Sequence, residues 1–223
     1  MVAAAETAGL PGRARVYGPR EELANTLTHG AGAALALVGL VLLVAGARGR
    51  AGWYLASAAV YGASMVMLYS ASTLYHGLRD PRAKLAAKIF DHASIYLLIA
   101  GTYTPVTLIT LRAAGGAWLF GLVWLCALAG IAVEAFWVYR PKWLSALVYV
   151  AMGWLAVFMM KPLIASMPPV GLRLLVAGGL CYTLGTPCYA LKGVPFNHAV
   201  WHLFVLAGSV CHFVSIYGYV MPR

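Results

Sequence analysis

FNHAVWHLFVLAGSVCHFVSIYGYV, residues 196–220, is apolar enough to cross a bilayer, yet it carries His198, His202 and His212. A spanning helix needs about 20 mostly apolar residues, which this stretch supplies. Polar and ionisable side chains are costly inside a membrane, so their presence there points first to function. What three imidazoles do in a membrane helix depends on which other residues reach the same depth.

The rest of the chain has the same character. Of its 223 residues 62% are hydrophobic and only 10% charged, too few polar groups to cover a soluble domain of this size. Continuous apolar runs without period-2 alternation predict an all-α, polytopic membrane protein rather than a β-barrel. The net charge of +10 fits Lys and Arg in loops beside anionic headgroups. No basic, aromatic-interleaved soluble region is present, so no nucleic-acid partner is expected. Cys126, Cys181, Cys188 and Cys211 lie inside apolar runs with no CxxC pair, and read as reduced packing residues.

Seven spans are predicted, at about 25–46, 52–77, 85–111, 116–138, 143–161, 170–191 and 197–220. Residues 1–19, which contain no apolar signal-peptide core, read as a short cytoplasmic tail, and 20–223 as one seven-helix membrane domain. Small residues throughout allow close helix packing. Alternating spans divide the basic residues unequally. Ten lie on one side (Arg13, Arg15, Arg20, Arg79, Arg82, Lys84, Lys88, Arg140, Lys142, Lys192) and six on the other. The positive-inside rule then puts the N-terminus in the cytoplasm and the C-terminus outside.

This alternation gathers distant polar residues. His29, His76, Asp91, His92, His198 and His202 all fall in the cytoplasmic leaflet. His198 and His202, four apart, share a helix face with Cβ atoms about 5–6 Å apart, close enough to chelate one divalent metal. They also read as interfacial histidines meeting water and headgroups. Asn197 before them suits an N-cap, and the positive helix end favours neutral rings, the ligand form. Ser72 lies one turn before His76, placed to orient the ring or a water, or to bond its own helix. Asp91 reads either as a partner of Lys88 or as a carboxylate facing the bundle. Glu22, Asn25 and His29 form one stripe, either a wetted helix end or support for ligands. Pro19 suits a first helical turn, and Pro105 a kink. His212, ten residues past His202 and so about 15 Å along the axis, reads as a packing histidine. Glu134 is expected to pair with Arg140 or Lys142.

Together the segments EELANTLTHG, SASTLYHG, FDHASIYLLIAGTYTP and HAVWHLFVLAGSVCHF resemble the hemolysin III family, part of the progestin and adipoQ receptor superfamily, itself distantly similar to alkaline ceramidases. The resemblance covers about residues 20–220, with the motifs in the family's order. It implies a seven-helix bundle with zinc near the cytoplasmic face. The implied metal ligands are His76, His198 and His202. Asp91 is implied to act through a metal-bound water, with Ser72 beside it.

Three histidines leave a fourth tetrahedral position open, the pattern of catalytic zinc. The resemblance therefore implies a zinc-dependent lipid amide or acyl hydrolase of ceramidase type, with Asp91 and Ser72 catalytic and Glu22, Asn25 and His29 behind the ligands. The partners are then membrane lipids, the substrate an N-acyl lipid, and the location a bacterial inner membrane. The alternatives are a membrane-lipid sensor with structural zinc and a pore-forming haemolysin.

Overall fold

The computed structural model describes residues 17–137, 140–191 and 194–222. Arg13, Arg15 and Lys192, and all but the last three residues of the predicted tail, lie outside the described residues. The helices are α1 (Pro19–Gly46), α2 (Gly52–Gly77), α3 (Pro81–Pro105), α4 (Gly116–Phe136), α5 (Lys142–Gly153), α6 (Met160–Ser166), α7 (Pro169–Ala190) and α8 (Asn197–Ser215). They form seven spans, because α5 and α6 are two pieces of the fifth. Six helical runs are long and apolar enough to cross a membrane. The remaining span, α7, has 22 residues, about 33 Å of helix and enough for the hydrocarbon core. The chain is a multi-pass integral membrane protein.

Helix α1 explains how such a bundle chooses an inner face when lipid is as apolar as the core. Asn25, His29, Gly32, Ala36, Gly39 and Leu43 recur three and four residues apart and are buried. Leu35, Val38 and Val41 point outward to lipid. Small residues face in because close backbone approach, not burial from water, drives association here. At Gly62 of α2 a Cβ would stand 2.9 Å from the Leu40 Cα of α1. Helices α1, α2 and α3 pack in series, α8 returns against α1, α7 against α8, and α5 against α7 and α3. Helix α4 packs on the outside of α3.

Helix starts are fixed by local caps at α1 and α3 and by a tertiary contact at α8. Helix α1 begins at Pro19, the first-turn position that the sequence suits, ahead of the apolar run from about 25, with the Glu21 carboxylate accepting from Gly18 N–H (3.0 Å). Helix α3 begins at Pro81, capped by Asp80, whose Oδ1 accepts from Ala83 N–H (2.8 Å). Past Pro105, which lacks an N–H, the helix widens into a π turn over Val106–Thr110. Asn197 is not an N-cap. Phe196 holds that place in the left-handed region (φ 56°), and its N–H donates to Glu21 Oε1 (3.0 Å). A tie between α1 and α8 thus replaces a local cap.

The fifth span is not one helix. Helix α5 stops at Gly153, a 3₁₀ segment covers Leu155–Met159, and α6 resumes at Met160. The Tyr103 hydroxyl donates to Gly153 C=O (2.7 Å) and accepts from Ala156 N–H (2.8 Å). It satisfies two backbone groups that the break frees, as apolar surroundings demand.

Replacing Gly62 with Ala forces α1 and α2 apart and should cost about 1–3 kcal/mol. Gly121→Ala, where nothing lies within 4 Å of the new Cβ, should not. Thermal unfolding of both variants in the same detergent checks this.

Candidate metal centre

The last turn of α2 carries His76, and the first two turns of α8 carry His198 and His202. Antiparallel passage brings both helix ends to the same membrane face, where the three rings converge. One ligand atom from each lies within 4.8 Å of the others. His76 Nε2 and His198 Nε2 are 3.2 Å apart. Ring centroids are separated by 5.0 Å (His76–His198), 5.2 Å (His76–His202) and 4.5 Å (His198–His202). All three are buried, with relative exposures of 2, 7 and 1%.

Helix α1 sets how two of the rings are presented. Glu22 Oε2 stands 2.6 Å from His76 Nδ1, so a proton on that nitrogen is donated to the carboxylate. Its other oxygen accepts from Lys84 Nζ (2.8 Å), which also donates to the Tyr75 and Leu78 carbonyls (3.0 and 3.2 Å). Lys84 thereby serves carbonyls at the end of α2 that lack helical partners. His202 Nδ1 lies 3.2 Å from the Asn25 carbonyl and 3.1 Å from Thr28 Oγ1. The Thr28 hydroxyl is itself within donating distance of the Ala24 carbonyl (2.8 Å), so it can accept from that ring. With Nδ1 protonated in both rings, each turns its Nε2 lone pair inward. This is the arrangement of metal-ligating histidines, whose far nitrogen donates to a carboxylate or carbonyl.

His198 differs: its Nδ1 is buried without a hydrogen-bond partner among the described residues. Its Nε2 faces a nitrogen that already presents a lone pair. A proton on His198 Nε2 is donated to that lone pair; with the proton on Nδ1 instead, both lone pairs can be shared by one cation. Three neutral imidazoles suit zinc better than calcium or magnesium, which prefer oxygen. The residues present therefore fit zinc.

His29 stands behind this trio. Its ring stacks on His202 (centroids 3.5 Å, 14° between planes) and meets Tyr69 edge-on at 5.0 Å. Both its nitrogens are buried without hydrogen-bond partners by strict geometry among the described residues. Ser72 and Asp91 line the same cavity as His29, His198 and His202. Ser72 is buried, and its side chain interacts with that of Asp91. The cavity, about 110 Å³ in volume, extends through apolar surroundings to Tyr103, Trp154, Gly179 and His212. That far level is ten residues of α8 from His202, about 15 Å. His212 reaches the cavity's far end, not the cluster, and its Nε2–H donates to the Leu175 carbonyl (2.9 Å).

Two features were not foreseen. His92 Nδ1 meets Glu134 Oε1 at 2.8 Å, while Glu134, with no exposure at all, pairs with Arg140. Arg140 Nη2 in turn donates to the Tyr96 hydroxyl (3.0 Å). A buried glutamate flanked by Arg140 signalled the ion pair, whereas nothing in the sequence pointed to His92 as the third member. Tyr17, ahead of the first helix, stacks on His198 with centroids 5.2 Å apart.

Residues 17–213 match the protein family described as Haemolysin-III related. The chain belongs to the haemolysin III family. It is 44% identical over 205 residues to Hemolysin-3 of Bacillus cereus, a match covering 91% of this chain and 93% of that one. Identity to the Hemolysin-3 homolog of Bacillus subtilis is 43% over 201 residues, 90% of this chain and 94% of that protein. The human Monocyte to macrophage differentiation factor is 30% identical over 209 residues, 90% of this chain and 84% of the human one. The haemolysin III match contains every residue of the histidine cluster and of the Glu134 network.

Glu134→Ala leaves Arg140 buried without its anion, a loss of about 3–5 kcal/mol. The double replacement Glu134→Met, Arg140→Met should cost less than the single change, since it strands no charge. Unfolding midpoints of the two variants measure the difference.

Proposed function

We propose that this protein is a zinc-dependent hydrolase of lipid amide or acyl bonds, with the metal held by His76, His198 and His202. The observation that supports this reading is a juxtaposition. Three imidazoles converge, and two of them, His198 and His202, line an apolar cavity together with Asp91. Zinc bound there supplies Lewis acidity, polarising a carbonyl and lowering the pKa of water towards about 7.

The chain's own groups do the rest. Asp91 takes a proton from the attacking water as the oxygen bonds to the acyl carbon. Ser72, which neighbours Asp91 in the cavity wall, donates to the oxyanion that develops on the carbonyl oxygen. Asp91 returns its proton to the departing amine or alkoxide as the bond to carbon breaks. The apolar cavity holds the acyl chain, which makes an N-acyl membrane lipid the substrate class. The charge bias of the loops supports a cytoplasmic position for this site, and we infer a bacterial inner membrane as its location.

A second reading is favoured by the ties among α1, α2 and α8. Zinc there clamps three helices, as a structural ion in a sensor of membrane lipid state. The name of the Bacillus cereus relative adds a third, membrane lysis.

Metal analysis of purified protein, with fatty-acid release from N-acyl lipids, separates these readings. The hydrolase reading expects about one zinc per chain and metal-dependent release. Asp91→Ala should keep the zinc and lose at least about 10²-fold in turnover, the scale of general acid–base catalysis. Turnover absent over a broad lipid panel, with zinc-dependent melting, supports the clamp. Dye leakage from liposomes on adding native protein supports lysis.

The ligand set makes its own prediction. His76→Ala and His202→Ala should lower zinc content and melting temperature together, because metal binding stabilises the fold that binds it. Glu22→Gln should weaken zinc binding by about 10–100-fold, as loss of an outer hydrogen-bond partner does. His212→Ala should leave metal content unchanged. Competition against a fluorescent zinc chelator measures all four.

A further inference from the structure

Tyr17 packs over the histidines at the ends of α2 and α8. The ring is buried (7% exposed) although it precedes the first helix. It lies over His198 at 5.2 Å and 24°, and edge-on to His76 at 5.8 Å. Lys142 Nζ donates to its hydroxyl (3.1 Å) and lies 4.8 Å from the centre of the Tyr189 ring. The backbone behind it is fastened twice through Glu21, to Gly18 N–H and to Phe196 N–H of the α7–α8 loop. On this polar face the cluster is therefore capped by an aromatic ring, with an ammonium group above it.

The opposite side of the site is built differently. The cavity leads away from the histidines between α3, α5 and α7. At the break in the fifth span Gly153 lines the cavity and is exposed on the outer surface. Val150, Trp154, Thr183 and Thr186 beside it are only half-buried. That surface lies mid-span, about 15–18 Å along α5 from Lys142 by helix rise, and faces hydrocarbon.

We propose that Tyr17 is a lid that closes the aqueous approach to the histidine site, and that ligands enter from the bilayer through the opening at Gly153. The inference rests on the reading of this site as one that takes lipid, and it sharpens the substrate class. The ligand is resident in the membrane and led by an apolar chain, and water-soluble esters and amides are excluded. Metal ions, which cannot cross the apolar route, exchange only when Tyr17 lifts.

Two measurements on the full-length chain in phosphatidylcholine nanodiscs test this. The first is the rate of zinc loss to excess EDTA. Tyr17→Ala should release zinc about tenfold faster than wild type, the scale of one lost aromatic stack. Tyr17→Phe, which keeps the ring, should stay near wild type. Equal rates for Tyr17→Ala and wild type, at equal zinc content, overturn the lid.

The second measurement needs no metal. In a chain with the four native cysteines changed to Ala and Ser72→Cys introduced, two thiol reagents of the same chemistry are compared. Apolar methyl methanethiosulfonate should label Cys-substituted protein with or without Tyr17→Ala. The charged trimethylammonium analogue should label only the Tyr17→Ala chain. Equal labelling by the charged reagent in both chains overturns the lid. Failure of the apolar reagent on the lidded chain overturns the bilayer route. A wild type that binds no zinc refutes the metal reading alone, because the labelling result still decides access.

Discussion

Inside a bilayer there is no water to satisfy a stray polar group, so each one must find its partner within the bundle. The Glu22 carboxylate shows how far this constraint organises the protein. One oxygen holds His76 and the other holds Lys84, which caps carbonyls at the end of α2. A single side chain of α1 thereby fixes the end of α2, the turn into α3 and the presentation of a ring at the site. Without it His76 would keep its position in the helix but lose the contact that directs its second nitrogen inward.

The same constraint builds the other polar centre. Glu134 lies in an apolar helix on the outside of α3, where an isolated carboxylate would be expensive. Arg140 neutralises it and His92 takes its second oxygen. This network and the histidine cluster flank α3, and the cavity between them holds Asp91. Apolar packing contributes in another way. Gly62 lets α1 and α2 touch, and small residues on the inner face of α1 leave room for large rings such as Tyr69. The outcome is a bundle tight at α1, α2 and α8 and interrupted at α5, with the opening on the interrupted side.

Function follows from this asymmetry. A site sealed by Tyr17 towards water and open towards hydrocarbon is suited to molecules that never leave the membrane. Under the proposed function, zinc held by neutral imidazoles would keep its full charge for a bound carbonyl, and a low-dielectric surround would strengthen that interaction. The proposed hydrolysis would then depend on the polar groups at the cavity's head, Ser72 and Asp91.

Much was legible in the sequence because a bilayer imposes simple rules on it. Apolar run length determined the seven spans, and the alternation of those spans determined that His29, His76, Asp91, His92, His198 and His202 share one depth. Helical spacing placed His198 and His202 on one face, and the family motifs singled out His76, Ser72 and Asp91. Rotation about each helix axis was not legible, since lipid and core are equally apolar and the residues facing each look alike in the sequence. Tertiary structure therefore decided that His29 stacks on His202, that His92 turns to Glu134, and that Glu22 reaches His76. It also decided the break after Gly153, where the Tyr103 hydroxyl supplies backbone partners from another helix, and the cap by Tyr17. Depth is a property of one chain's order, but partners belong to neighbouring helices, and only their packing brings these together.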